Sequence, residues 1–162
     1  MFGILKKWFS RLFSLGNVKQ EKYVDLGLSV KWASKNVGAE TSADFGDYFD
    51  FNQAQNIEGI EVPTIEQWEE LIKECKFKYE GRRNGFVVIG KNKNRIFFPF
   101  AGEKLGQNDY KGAYFWSAST SPRYQEKGKF VGFWRILHGH EKFIGDVVKN
   151  KFWISVRGIK SK

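Results

Sequence analysis

Three aspartates recur at every third residue of one segment and are the first candidates for metal chemistry. Asp44, Asp47 and Asp50 lie near Asn52, and oxygen ligands of this kind hold calcium in many proteins. The segment lacks the glycine-punctuated acidic loop and the bidentate terminal carboxylate of a calcium site. We therefore expect carboxylates that face solvent in a loop, and no metal ion.

The two histidines of the chain both lie in the sequence HGHE. Alternation along a strand would place His138 and His140 on one face, where imidazoles bind a metal weakly or titrate near neutral pH. Only two ligands are evident, so the pattern favours a hairpin turn with exposed histidines.

The single cysteine is the remaining candidate for nucleophilic or redox chemistry. Cys75 cannot close an intramolecular disulfide, and one cysteine with two histidines is too few for a Cys/His zinc site. It shares a predicted helical face with Trp68, Leu71 and Ile72, which indicates a buried, inert thiol. The sequence has no nucleophile-elbow serine, phosphate-binding loop or HExxH motif. We expect no catalytic residue and no cofactor, and therefore a protein that is not an enzyme.

The elements that must position these residues are one helix followed by many short strands. Thr64 is the predicted N-cap of the helix TIEQWEELIKECKF, and Gln67 is its capping-box partner. Beyond this helix, short β-rich runs alternate with turn-forming segments, which indicates antiparallel hairpins. Pro99 is expected at a strand end or bulge, and Trp116 in the core. The predicted fold class is α+β, with the first and last strands paired.

The segment SPRYQEKGKFVGFWRILHGHEKF carries the best candidates for ligand recognition. Its large amphipathic side chains are of the types that recur at binding hot spots. Alternation places Phe130, Trp134 and Ile136 on one strand face, and Val131, Phe133, Arg135 and Leu137 on the other. Since one face is expected to be core, at most half of these residues are available to a ligand. The predicted ligand-binding residues are Arg123, Tyr124, Trp134, Arg135, His138 and His140.

The N-terminal segment MFGILKKWFSRLFSLG has the pattern of an amphipathic helix. At about 100° per residue its apolar side chains fall on one continuous arc of roughly 180°, and its basic and serine side chains fall opposite. A helix with this polar face is typical of binding at the interface of an anionic membrane. The predicted membrane-binding residues are Phe2, Ile4, Leu5, Lys6, Lys7, Trp8, Phe9, Arg11, Leu12 and Phe13.

Two other roles for this helix stay open. It could pack against protein within an oligomer, because a bundle also buries a wide apolar face. It could instead disrupt bilayers, which would make the protein a membrane-damaging effector whose globular part senses a partner. No apolar run reaches the length of about 18 residues that a transmembrane helix needs, and the interrupting lysines are unlike a secretory signal.

Length and charge limit the number of domains and the classes of partner. The 162 residues fit one domain, which we divide into an amphipathic helix (1–16), a linker (17–22) and a globular domain (23–162). The formal net charge of +9 favours anionic partners such as lipid. No dense basic run resembles a nucleic-acid-binding arm, so we expect no specific nucleic-acid partner. Peripheral membrane association is expected rather than secretion through a signal peptide.

An ordered set of motifs resembles a known bacterial family. VDLGLSVKWAS, NVGAE, FGDYFDF, PTIEQWEELIKEC, IFFPFAG, GAYFWSAS and ISVRGI, from Tyr23 to Ile159, look like the Fibrobacter succinogenes major paralogous domain. That family is a branch of the C-type lectin-like fold near the formylglycine-generating enzymes. The resemblance implies a compact mixed domain whose terminal strands pair and whose loops and twisted hairpin present a binding face.

The resemblance also bears on function. The formylglycine-generating relatives oxidise a thiol with their own cysteines, and Cys75 alone offers no counterpart to that chemistry. The expectation is a non-catalytic recognition module for a protein or glycan ligand, held at a membrane surface by its N-terminal helix.

Overall fold

The structure is a computed structural model that describes residues 22–104 and 112–162. Within these ranges the fold is α+β, with short antiparallel strands predominating over two helices. The predicted N-terminal helix, 1–16, and nearly all of the linker lie outside the described residues. The amphipathic helix therefore stays a prediction from sequence.

The strands form three separate three-stranded antiparallel sheets, ordered β1-β2-β9, β3-β4-β5 and β6-β7-β8. Sheet β1-β2-β9 joins the beginning and the end of the described chain, as predicted. The strand that pairs with the last strand, β9, is β2 and not the first strand, β1. The elements in chain order are β1 (Tyr23–Val24), β2 (Val30–Ala33), α1 (Phe51–Gln55), α2 (Ile65–Glu74), β3 (Lys76–Glu80), β4 (Gly85–Ile89), β5 (Arg95–Pro99), β6 (Gly112–Thr120), β7 (Lys127–Ile136), β8 (Gly139–Val148) and β9 (Ile159–Ser161).

Helix α2 begins where the sequence predicts. The Thr64 hydroxyl accepts from the backbone N–H of Gln67, and the Gln67 side chain accepts from the backbone N–H of Thr64. This reciprocal pair satisfies two N–H groups that a helix start leaves without intrahelical partners. The predicted capping box is thus confirmed.

The end of α2 differs from the prediction. The helix stops at Glu74, and strand β3 begins at Lys76, inside the segment CKF that was assigned to the helix. Phe77 and Tyr79 then alternate with lysines, and both aromatic rings pack against the core. A period of two residues is a strand pattern, and it takes over directly after the helical period.

Helix α1 was not predicted from the sequence. It begins at Phe51, the last residue of the segment 36–51 that was predicted to be a loop. The Asp50 carboxylate accepts from the backbone N–H of Gln53 at 2.8 Å, and Gln53 reaches back to the Asp50 N–H at 2.9 Å. The Asp-x-x-Gln spacing was a readable sign of a helix start. Phe51 and Ala54 of this helix are buried in a second core cluster around Trp116.

Candidate functional site

The longest regular element of the described chain is the hairpin of β7 and β8. Ten residues of each strand are in register, from Lys127 paired with Val148 to Ile136 paired with Gly139. Leu137 and His138 form a two-residue turn between them. The predicted hairpin at HGHE is therefore confirmed, with His138 in the turn and His140 within β8.

Burial changes along β7. Val131, Gly132 and Phe133 are buried, whereas every residue from Trp134 to His140 is exposed. The first part of β7 is covered on both faces, because Val131 and Phe133 lie in the main core and Phe130 packs against the second cluster. The expectation that only one face of β7 is core does not hold there. The exposed face opens only towards the end of the hairpin.

Glycine and aromatic side chains alternate across one face of this sheet. Gly132 is paired with Phe143, and Phe130 with Gly145, so each ring lies over the glycine of the facing strand. A Cβ atom on either glycine would overlap the ring. The absence of a side chain therefore lets the rings lie close to the sheet, where they pack edge to face with one another at 5.9 Å.

Trp134 continues this aromatic face to its exposed end. A Cβ atom on Gly112 would lie 2.6 Å from Trp134 Cδ1, so the indole rests over that glycine. The indole N–H donates to the Tyr114 hydroxyl, and the ring packs edge to face with Phe143 at 5.2 Å. The side chain is thus held in place while it remains 39% exposed.

A shallow groove of about 460 Å³ opens beside the indole. It is lined by Trp134, Glu141, Lys142 and Phe143, and we call it the hairpin groove. An aromatic surface next to one carboxylate acceptor suits a ligand with both apolar and hydrogen-bonding parts. The Lys142 ammonium lies on the other face of the hairpin, over the Phe77 ring. Of these four residues, sequence reasoning found only Trp134. The cross-strand pairing that brings Glu141 opposite Trp134 was the missing information.

The other face of the hairpin lies against sheet β3-β4-β5. The Arg135 guanidinium lies 4.0 Å from the centre of the Tyr79 ring, and its Nη1 donates to the Tyr79 hydroxyl at 2.8 Å. Lys142 Nζ lies 4.1 Å from the centre of the Phe77 ring. These cation–π contacts fix the hairpin against the body of the protein. Arg135 is therefore exposed and at the same time holds the hairpin against sheet β3-β4-β5.

The structure divides the six predicted ligand-binding residues into two groups. Arg123 and Tyr124 lie in the turn before β7, and Lys127 Nζ covers the Tyr124 ring at 4.3 Å. The other four lie at the far end of the hairpin, and a ten-residue strand spans about 33 Å. One small ligand therefore cannot contact both groups. The four that lie at that far end are Trp134, Arg135, His138 and His140.

The residues considered for metal chemistry have local structural roles. Asp44 accepts from the Thr41 backbone N–H at 2.7 Å, and this hydrogen bond lowers the pKa of the Asp44 carboxyl. Asp50 caps α1, as described above. Across residues 22–104 and 112–162, no three His, Cys, Asp or Glu side chains lie close enough together to hold a metal ion.

Cys75 is buried at the end of α2. Burial is the main cause that raises the pKa of its thiol to about 11, and Glu74 and Glu70 add to the effect. A thiol with this pKa stays protonated at neutral pH and is a poor nucleophile. Its placement on the core face agrees with the sequence prediction.

A larger cleft of about 830 Å³ lies between the segment from Gly46 to Phe49, helix α1 and Lys104. Lys104, one of its lining residues, is the last described residue before 105–111. The hairpin groove is lined by residues of the β7–β8 hairpin, among them the exposed Trp134 that was predicted from the sequence. We therefore take the hairpin groove as the candidate recognition site.

His140 gives the hairpin a pH-dependent stability. Partial burial of the ring against Phe77 and Phe86 lowers the pKa of His140, although the residue as a whole is exposed, and the Lys142 ammonium lowers it further. The unfolded chain, with an ordinary histidine pKa near 6.5, therefore binds this proton more readily than the folded chain does. The contribution of His140 to stability is fully present above that value, and it is lost as the pH falls from there through the lower pKa of the folded chain.

We expect His140→Gln to reduce the loss of stability between about pH 7.5 and 5.5, an interval above the range where carboxylates titrate. The free energy of unfolding is measured with urea at both pH values. His138→Gln, in the exposed turn, is the matched control and should keep the wild-type difference. An unchanged pH dependence in His140→Gln would show that His140 is not the group responsible.

Comparisons of the chain with protein-family models, with curated proteins and with solved structures give no match. In the part of the chain that the structure describes, no helix is long and apolar enough to cross a membrane.

Proposed function

We propose that the protein is a non-catalytic recognition module that binds a protein or glycan ligand through the hairpin groove. The observation that carries this proposal is the held but exposed indole of Trp134 at the mouth of the groove. A rigid aromatic side chain gives a ligand a large contact area at little cost in conformational entropy. The raised pKa of Cys75 supports the non-catalytic part of the proposal.

The fold of the module is, in this proposal, C-type lectin-like. Three features support it: the terminal strands β2 and β9 are paired, one main helix lies against the sheets, and a long hairpin carries the exposed face. The ordered motifs from Tyr23 to Ile159 are its basis in sequence.

The test of recognition is a binding screen with the full chain on an array of neutral glycans, acidic glycans and purified bacterial surface proteins. We expect saturable binding to at least one probe of the array. An excess of the same probe in solution should compete this binding away, and the binding should persist when the salt concentration is raised. Salt matters because a chain of charge +9 binds anions non-specifically. Absence of any saturable, salt-resistant binding across the array would contradict the proposal.

We further propose that the N-terminal helix tethers this module to an anionic membrane. The complete separation of apolar and basic residues in 1–16 supports this, since the polar face carries no acidic side chain. No described residue bears on this part of the proposal.

Phe9→Asp is expected to weaken co-sedimentation of the full chain with anionic vesicles by about ten-fold or more, because a buried apolar ring is replaced by a charge. Sedimentation is measured at low and high salt, since electrostatic attachment fades with salt and apolar insertion persists. Ser10→Asp, on the polar face, is the control for the added charge. Equal losses in the two variants would indicate attachment by charge alone.

A further inference from the structure

The turn of the β7–β8 hairpin has an unusual composition. Two-residue hairpin loops are dominated by glycine, asparagine and aspartate, whereas this loop is Leu137 and His138. Leu137 is 91% exposed, and the preceding Ile136 is 41% exposed. We call Ile136 to Gly139 the hairpin tip. Two large aliphatic side chains at an exposed apex would be stabilised by any surface that removed them from water.

The charges beside the tip are mainly positive. Arg135 and Lys142 lie on one face of the hairpin next to the tip, where they contact Tyr79 and Phe77, and Glu141 is the one carboxylate between His138 and Phe143. The whole chain has a formal charge of +9. An apolar apex flanked by cations complements a surface that is apolar inside and negatively charged outside.

The dimensions of the hairpin fit the interface of a bilayer. Leu137 is the third residue after Trp134, and three steps at the strand rise are about 10 Å. Apolar faces of interfacial segments lie about 5–10 Å into the boundary between headgroups and acyl chains. With Leu137 at that depth, Trp134 lies at the level of the headgroups, where indoles are enriched.

The shape of the tip favours lipid over a protein partner. A standard protein interface buries about 800 Å² on each partner, and a two-residue turn offers far less than that. A narrow wedge needs a preformed pocket in a rigid partner, whereas a fluid bilayer adapts to it. The described structure shows one such wedge, with its apolar side chains at the apex.

We infer that the hairpin tip inserts into the interface of an anionic membrane, with Ile136 and Leu137 as the apolar wedge. This goes beyond the proposed groove ligand, and it does not depend on the N-terminal helix. The hairpin thereby places the groove close to the lipid surface.

The test measures the polarity around the hairpin tip with a fluorescent label. Leu137→Cys in the full chain is labelled with an NBD fluorophore, and Gln125→Cys, exposed in the turn at the other end of β7, is the matched control. Cys75 is buried, so the wild-type chain should take up little label and serves as the blank. The vesicles contain phosphatidylcholine alone or mixed with phosphatidylglycerol.

With mixed vesicles we expect the NBD emission at position 137 to shift to the blue and become brighter, and lipids with brominated acyl chains should quench it. The emission at position 125 should not change. Aqueous emission at position 137, whether or not the chain sediments with the vesicles, overturns the inference. A similar shift at positions 137 and 125 also overturns the inference, because both ends of the hairpin would then contact lipid equally.

A second pair of variants separates the tip from the helix. In a Phe9→Asp background, Leu137→Asp is expected to reduce partition into mixed vesicles by about ten-fold or more, because the transfer of a leucine side chain is lost. Ile144→Asp, an exposed residue of β8 away from the tip, adds the same charge and should have a smaller effect. Equal effects of the two variants would contradict insertion by the tip. If Phe9→Asp leaves binding intact while Leu137→Asp abolishes it, the tether proposal fails and the tip inference stands.

Discussion

Arg157→Met is expected to lower the free energy of unfolding by about 3–5 kcal/mol, because several buried acceptors lose their donor at once. Arg157 is fully buried. Its Nη1 donates to the Ala33 carbonyl at 3.0 Å, and its Nη2 donates to Asn36 Oδ1 at 2.6 Å and to the Phe97 carbonyl at 2.8 Å. One guanidinium therefore ties the end of β2, the following loop and strand β5 together.

The surroundings of Arg157 explain why methionine cannot substitute for it. The guanidinium carbon lies 5.0 Å from the centre of the Phe98 ring and 5.8 Å from that of Phe115, so water has no access. A thioether fills part of the space, but it donates no hydrogen bond. Each acceptor left unpaired in such an environment costs about 1–3 kcal/mol.

Urea unfolding followed by tryptophan fluorescence measures the effect of Arg157→Met. Arg95→Met removes the same charge from an exposed position and should change stability by less than about 0.5 kcal/mol. Arg157→Lys keeps the charge but lacks the planar fork that reaches three acceptors, and it should also be strongly destabilising. Wild-type stability in Arg157→Met would contradict the network.

Trp68→Ala is the second large effect, with an expected loss of about 3–5 kcal/mol from the cavity it leaves. Trp68 of α2 is fully buried, and its ring contacts all three sheets. Ring centres lie 4.6 Å away for Trp32 of β2 and 5.9 Å for Phe98 of β5. In the third sheet the ring centres of Phe115 and Phe133 lie 5.3 and 6.0 Å away. No two of the sheets share a backbone ladder, so this indole is a main link between them.

Trp134→Ala is the matched control for Trp68→Ala, since it removes the same atoms from a half-exposed site. Its expected cost is smaller, about 1–2 kcal/mol, because the indole is 39% exposed and its removal leaves an open surface instead of a closed cavity. Similar losses in the two variants would show that Trp68 does not link the sheets in the way described. A small loss in Trp134→Ala also makes this variant suitable for binding measurements.

The parts of the fold that were predictable from sequence are those that local chemistry decides. The capping box of Thr64 and Gln67, the turn at HGHE and the strand end at Pro99 all depend on neighbouring residues. The paired terminal strands also agree with the prediction. Helix α1 was missed, although the Asp50-x-x-Gln53 capping box at its start was readable in the sequence.

The candidate site was predictable only in part, because it depends on pairing between strands. Trp134 stood out by residue type, whereas Glu141 and Lys142 join it through the register of β7 with β8. The distance from Tyr124 to His138 follows from the length of β7, which alternation does not reveal. The docking of Arg135 on Tyr79 joins elements 56 residues apart in the chain, a contact that no local pattern indicates.

The central claim is that the protein recognises a ligand through the hairpin groove, and one measurement tests it most directly. This is the dissociation constant for the tightest probe of the array, determined for the wild-type chain, Trp134→Ala and Ile144→Ala. Trp134 and Ile144 have nearly equal exposure, 39% and 37%, but only Trp134 lines the groove. The account predicts binding weakened by about thirty-fold or more in Trp134→Ala, as for a tryptophan hot spot, and wild-type binding in Ile144→Ala. Wild-type affinity in Trp134→Ala would contradict it.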